Sequence, residues 1–267
     1  MKRRILFISD GTGITAETLG HSLMTQFPGV QFEQKRYAFI DTLDKARDLC
    51  ASLREFPEDT LILLTVADEQ IRKLLLELPG QVLDIFTFAI SWMSRALGQA
   101  PEQHVGHAHG LVDPKAYQQR IDAVNYALRF DDGLGRDYGE SDVILVGVSR
   151  SGKTPTCLYL ALHYGVKAAN YPLTENDFDQ AGLPTMLAAW KSKLFGLSID
   201  PFRLHQIRQA RRPGSRYAAL DVCRREVAFG ERLFQRHGIP FLNTTETSIE
   251  EISAKVLAML QLEKRLY

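Results

Sequence analysis

Gly147-Val-Ser-Arg-Ser-Gly152-Lys153-Thr154 satisfies the pattern GxxxxGK[ST] at every fixed position. Residue types at this spacing suit phosphate binding: the glycines let backbone N–H groups turn inward around phosphate oxygens, and a following helix N-terminus adds partial positive charge. Lys153 would reach the β and γ oxygens, and the Thr154 hydroxyl can ligate Mg²⁺. The expected nucleotide-binding residues are therefore Gly147, Val148, Ser149, Arg150, Ser151, Gly152, Lys153 and Thr154. A bare Gly-rich turn could also carry these letters, but the apolar run before it and the helical pattern after it supply the context that the motif requires.

A phosphate loop does not say what is done with the phosphate, so a carboxylate is needed at another strand end. Leu194-Phe-Gly-Leu-Ser-Ile-Asp200 supplies one, an apolar run ending in an acid. Asp200 could hold Mg²⁺ through water, accept a proton from a hydroxyl nucleophile, or simply cap the helix opened by Pro201, a frequent task for Asp. Capping does not exclude chemistry.

Weaker signals lie elsewhere. Arg203, Arg208, Arg211, Arg212 and Arg216 form a basic tract with His205, and its turn at Arg211 to Arg216 could grip a phosphate through guanidinium forks. Such runs are more often solvated helix faces. Ser9-Asp10-Gly11-Thr12-Gly13 also follows an apolar run and precedes a helix, but it has no lysine and does not match GxGxxG. His104, His107 and His109 have metal-like spacing without Cys or a carboxylate pair beside them, so a histidine-containing loop is the better reading. No GxSxG elbow is present.

The elements that must position the loop are those of an α/β protein. Ile5 to Ile8, Tyr37 to Ile40 and Leu61 to Val66 read as strands, whereas Ile14 to Phe27, Leu43 to Leu53, Ile71 to Leu78 and Val82 to Leu97 read as helices. Short continuous apolar runs between helices predict strands covered on both faces, hence a mostly parallel sheet. Gln99 to Lys115 has no period, Tyr117 to Phe130 resumes a helix, and Asp131 to Ser141 has turn composition throughout. The expected division is thus an N-terminal α/β domain, residues 1–135, and a phosphate-loop α/β domain, residues 136–267. In the second, Val143 to Val146, Val166 to Tyr171, Leu194 to Ile199 and Ile239 to Leu242 read as strands. Helices are expected from Lys153 to Tyr164, near Leu187 to Lys191, from Pro201 to Arg211, from Tyr217 to Arg236 and from Ser248 to Leu262.

Composition sets outer bounds. The 267 residues are 45% apolar and 24% charged, ordinary for a globular chain. Thirty-two Lys and Arg balance 32 Asp and Glu, which argues against a protein built to neutralise a nucleic-acid backbone. Cys50, Cys157 and Cys223 are odd in number and far apart, so reduced thiols in a cytoplasm are expected. The N-terminal apolar run is too short for a signal peptide, and Val82 to Leu97, carrying Asp84 and Arg95, is too short and too charged to span a membrane.

Three stretches together resemble one family: Ile8 to Glu17, Gly147 to Thr156, and Lys193 to Pro201, with Ala168-Ala-Asn-Tyr-Pro172 and Asn243 to Ile252 in support. The whole chain is similar to the kinase/pyrophosphorylase family, which comprises the regulatory proteins of phosphoenolpyruvate synthase and of pyruvate, phosphate dikinase. Ser151 departs from the Cys that some members carry, without consequence for a loop that acts through backbone N–H groups. The resemblance implies an ADP-dependent kinase that phosphorylates a threonine of the partner enzyme, releasing AMP. It also implies a pyrophosphorylase that reverses the modification with inorganic phosphate. Lys153 and Asp200 would be the catalytic residues, Thr154 and Asp200 the Mg²⁺ candidates, and Arg150 with the Arg211 to Arg216 turn would offset charge. Phosphoenolpyruvate synthase is the expected protein partner, the dikinase the alternative, and a homodimer the expected assembly. Two other classes compete: a nucleotide-sensing module without turnover, and a P-loop kinase of small molecules.

Overall fold

The computed structural model describes residues 2–100, 114–131, 137–178 and 182–262. The chain divides into two compact units, Met1–Leu111 and Val112–Tyr267.

The first unit runs β1 (Lys2–Ser9), α1 (Ile14–Met24), β2 (Gln31–Tyr37), α2 (Leu43–Leu53), β3 (Leu61–Thr65), α3 (Glu69–Leu75), β4 (Gln81–Asp84) and α4 (Ile85–Leu97). Its sheet, ordered β2-β1-β3-β4, is parallel throughout. Alternation along β1 divides the core: Leu6 and Ile8 pack with Ala46, Leu49 and Ile71 on one face, Ile5 and Phe7 with Ala16 and Met24 on the other. Two elements depart from expectation. The second strand is Gln31–Tyr37 rather than Tyr37 to Ile40, because an edge strand paired only with β1 keeps most side chains in solvent and so shows no apolar run. Val82 to Leu97 is not one helix: β4 pairs with β3 first, and Asp84 then starts α4 by accepting from Thr87 N at 3.0 Å.

In the second unit α5 (Pro114–Arg129) precedes β5 (Val143–Val148), α6 (Lys153–Tyr164), β6 (Ala168–Leu173), the short α7 (Glu175–Phe178) and α8 (Thr185–Ala188). Then come β7 (Leu194–Ser198), α9 (Pro201–Arg211), α10 (Leu220–His237), β8 (Phe241–Asn243) and α11 (Ile249–Leu260). The sheet order is β6-β5-β7-β8, again all parallel. Val143, Leu145, Phe195 and Leu197 face Cys157, Leu160 and Val256, while Ile144, Val146 and Leu194 face Leu233 and Phe234. Every residue of β5 is buried, as a central parallel strand requires. The division falls earlier than residue 135, because α5 carries Ala123 and Ala127 into the core shared by β5 and α6. Turn composition at 131–141 marks a connection inside the second unit, not a boundary.

The chain leaves β5 for β6 on one side and, after crossing back, β7 for β8 on the other. Open parallel sheets bind ligands outside the carboxyl ends of the strands at such a reversal. Both β5 and β7 end there.

Candidate functional site

The Gly147–Thr154 stretch joins β5 to α6 as expected. Gly147 pairs with Leu197 of β7, and a Cβ there would lie 2.3 Å from the Leu197 carbonyl oxygen, so only glycine lets the two strands approach this closely. Gly152 has φ 91° and starts α6 without any side-chain cap. Arg150 also has positive φ, 80°, a strained conformation for a residue with a side chain.

That strain is held from both sides. Arg208 Nη2 donates to Ser149 O at 3.0 Å, Thr244 Oγ1 donates to Ser151 O at 3.1 Å, and the Tyr217 hydroxyl meets Ser149 Oγ at 2.8 Å. Because each peptide is planar and trans, fixing the Ser149 and Ser151 carbonyls aims the N–H groups of Arg150 and Gly152 the opposite way. Arg208 itself is fully buried, pairs with Glu226 at 2.6 Å, donates to Tyr217 O at 3.1 Å and lies 4.1 Å from the centre of the Tyr217 ring. Within the basic tract, Arg208 is therefore a brace behind the loop and not a phosphate ligand, a correction to its grouping with the exposed Arg203, Arg211, Arg212 and Arg216.

Ser149, Arg150, Gly152, Lys153, Thr154 and Pro155 line a cavity of about 280 Å³. Lys153 is only 4% exposed, and its Nζ donates to Val148 O at 2.8 Å, so the ammonium is folded into its own loop. The Ser151 hydroxyl is buried without a partner. Thr154 Oγ1 donates to Asp131 Oδ1 at 2.8 Å and accepts from Asn170 Nδ2 at 3.0 Å; Asn170 also donates to Asp131 Oδ1. On the buried flank of α6, burial pushes the Cys157 thiol upward; the Asp131 charge adds to that and Lys153 opposes it.

Asp200 sits past the end of β7, where its Oδ1 accepts from Phe202 N and Arg203 N at 2.9 Å, and its own N–H donates to Thr245 Oγ1 at 2.8 Å. The capping reading is thus observed, and the carboxylate stays exposed at the same sheet edge as the loop. Among the described residues, the carboxylate that meets Thr154 is Asp131 instead. Asp131, Asn170, Tyr217, Glu226 and Thr244 belong to no local motif, so spacing alone does not single them out. Asn170 and Thr244 do stand within Ala168 to Pro172 and Asn243 to Ile252, two of the stretches that carry the resemblance.

Ser9 to Gly13 is tied within the first unit: Ser9 Oγ donates to Thr65 O, Gly11 N to Ser9 Oγ, and Ala67 N to Asp10 Oδ2 at 2.7 Å. Its polar side chains are occupied by neighbouring backbone. His104, His107 and His109 lie outside the described residues, and among the described residues no cluster of three His, Cys, Asp or Glu could hold a metal. Nor is any described helix long and apolar enough to cross a membrane.

The sequence matches the family described as "Kinase/pyrophosphorylase" over residues 5–257. It is 52% identical to a protein of Xanthomonas campestris pv. campestris (strain B100) over 269 aligned positions, covering 99% of this chain and 98% of the relative. Proteins of Stenotrophomonas maltophilia strains R551-3 and K279a are 52% and 51% identical with the same coverage. All three bear the name "Putative phosphoenolpyruvate synthase regulatory protein".

Proposed function

The chain belongs to the kinase/pyrophosphorylase family, and from that premise we propose that it is a bifunctional enzyme acting in the cytoplasm on phosphoenolpyruvate synthase. In one direction it transfers the β-phosphoryl group of ADP to a threonine of the synthase. In the other it removes that group with inorganic phosphate. The observation that carries this reading is the built phosphate loop: a strand, a strained turn braced on both carbonyls, and Lys153 buried inside it. The relatives' names supply the partner, and they favour the synthase over the dikinase.

The chemistry balances with few groups. In the forward step the threonine oxygen bonds to the β-phosphorus, the bridge to the α-phosphate breaks, AMP departs, and the hydroxyl proton passes to a base. In the reverse step a phosphate oxygen attacks the phosphothreonine, giving pyrophosphate and the free threonine hydroxyl. Phosphoryl transfer depends mostly on positioning and on offsetting spread negative charge. One loop can therefore serve both directions, with Lys153 and the Arg150 and Gly152 N–H groups holding the phosphate next to the one transferred.

Asp200 takes the role of base toward the threonine hydroxyl, since its carboxylate is exposed at the edge of the sheet where a protein substrate can arrive. Arg150, Arg211, Arg212 and Arg216 are exposed cations suited to the incoming phosphorylated segment. A hydroxyl and carboxylates are hard oxygen donors of the kind Mg²⁺ takes, so Thr154 and a neighbouring acid fit that ion. When bound, it would supply positive charge shared between phosphate oxygens.

Incubation with purified phosphoenolpyruvate synthase and ADP labelled at the β-phosphate tests the reading. Label on a synthase threonine is the expected result. Nucleotide binding without label on the protein would favour a sensing module, and transfer from the γ-phosphate of ATP to a metabolite would favour a small-molecule kinase.

A further inference from the structure

We infer that Asp131, rather than Asp200, is the carboxylate that completes the divalent-cation site of the phosphate loop, acting on the cation through the hydroxyl of Thr154. The inference rests on the reading of the loop as a nucleoside diphosphate site.

A threonine hydroxyl can lend its oxygen to a cation only if its proton is directed elsewhere. Thr154 Oγ1 donates that proton to Asp131 Oδ1 at 2.8 Å, and the same threonine lines the cavity inside the loop. The carboxylate places a full negative charge directly behind the oxygen that would face the ion. Asn170, 1% exposed, holds the pair together: its Nδ2 donates to Asp131 Oδ1 at 2.5 Å and to Thr154 Oγ1 at 3.0 Å. The backbone fixes the same junction, since Asn170 N donates to Phe130 O at 3.0 Å and so ties the end of α5 to β6. Asp131 is thus positioned twice, by main chain and by side chain. Asp200 differs in its partners: its Oδ1 is engaged with two N–H groups at the start of α9. Thr154, by contrast, belongs to the lining of the loop cavity, beside Gly152 and Lys153.

Groups that orient a metal-ligating residue typically change metal affinity by roughly ten- to a hundredfold when altered. The full chain is titrated with Mn²⁺, followed by electron paramagnetic resonance, in the presence of saturating ADP; ADP affinity is measured separately in EDTA. For Asp131→Asn, which keeps the shape and the Oδ1 acceptor, the expected result is Mn²⁺ affinity at least about tenfold weaker with metal-free ADP affinity unchanged within twofold. Thr154→Val, with no oxygen to offer, should reproduce that loss, whereas Asp200→Asn should leave Mn²⁺ affinity within about twofold. Unchanged Mn²⁺ affinity in Asp131→Asn, or a loss confined to Asp200→Asn, would overturn the assignment. Failure of the unaltered protein to bind ADP in EDTA would overturn the nucleotide reading itself, and the two failures are told apart by that measurement.

Discussion

Lys153 is the residue whose placement was most legible, because the pattern that names it is local: strand, glycines, lysine and helix follow one another within a few residues. Its ammonium donates to Val148 O inside the loop, a contact that a phosphate oxygen would replace under the proposed function. Lys153→Ala is expected to abolish both ADP-dependent transfer and phosphate-dependent reversal, and full retention of labelled transfer in that variant would contradict the assignment. Asp200 caps α9 and is the proposed base, two tasks whose signatures differ. Removing a helix cap costs about 1 kcal/mol of stability, whereas removing a base slows transfer while leaving ADP bound. Asp200→Ala should therefore reduce the transfer rate by roughly a hundredfold or more with ADP affinity held within a few-fold; equal losses in both would point to capping alone. The contacts of Asp131 and Asn170 with Thr154 and the bracing role of Arg208 escaped the sequence for a physical reason. These residues reach the loop from 23, 16 and 59 residues away, and no spacing rule links positions that only the sheet brings together.

Between elements, the decisive contact is the approach of β5 to β7. Gly147 reads in the sequence as a loop residue, yet it lies inside β5 and faces the Leu197 carbonyl, so its lack of a side chain serves strand packing as well as the turn. Gly147→Ala should force the strands apart, at a cost of about 1 to 3 kcal/mol. A melting temperature lowered by several degrees would show it, and an unchanged one would mean that the sheet yields without strain. Elements with both faces covered or with sharp caps were the legible ones: α2, α6 and α9 fall where periodicity and Pro201 put them. The edge strand β2 and the β4–α4 junction were not. An exposed strand has no apolar run to announce it, and an apolar stretch that is half strand and half helix looks like one helix until its pairing with β3 is known.

For the whole molecule, 32 Lys and Arg stand against 32 Asp and Glu, and the arginines of 203–216 do not act alike: Arg208 is buried against Glu226, whereas Arg203, Arg211, Arg212 and Arg216 are exposed. Two parallel α/β units were legible from alternating apolar runs and helices, but the position of their division was not, because turn residues at 131–141 look alike whether they separate units or connect α5 to β5. The site described is carried by the second unit alone. One phosphate loop is proposed to run the reaction in both directions, and the reverse step is where that proposal is most exposed. Synthase labelled on its threonine from β-labelled ADP is freed of nucleotide and returned to the enzyme with unlabelled inorganic phosphate. Label should leave the protein as pyrophosphate, only when phosphate is added and not with Lys153→Ala. Release as free phosphate, or release by the Lys153→Ala protein, would contradict it.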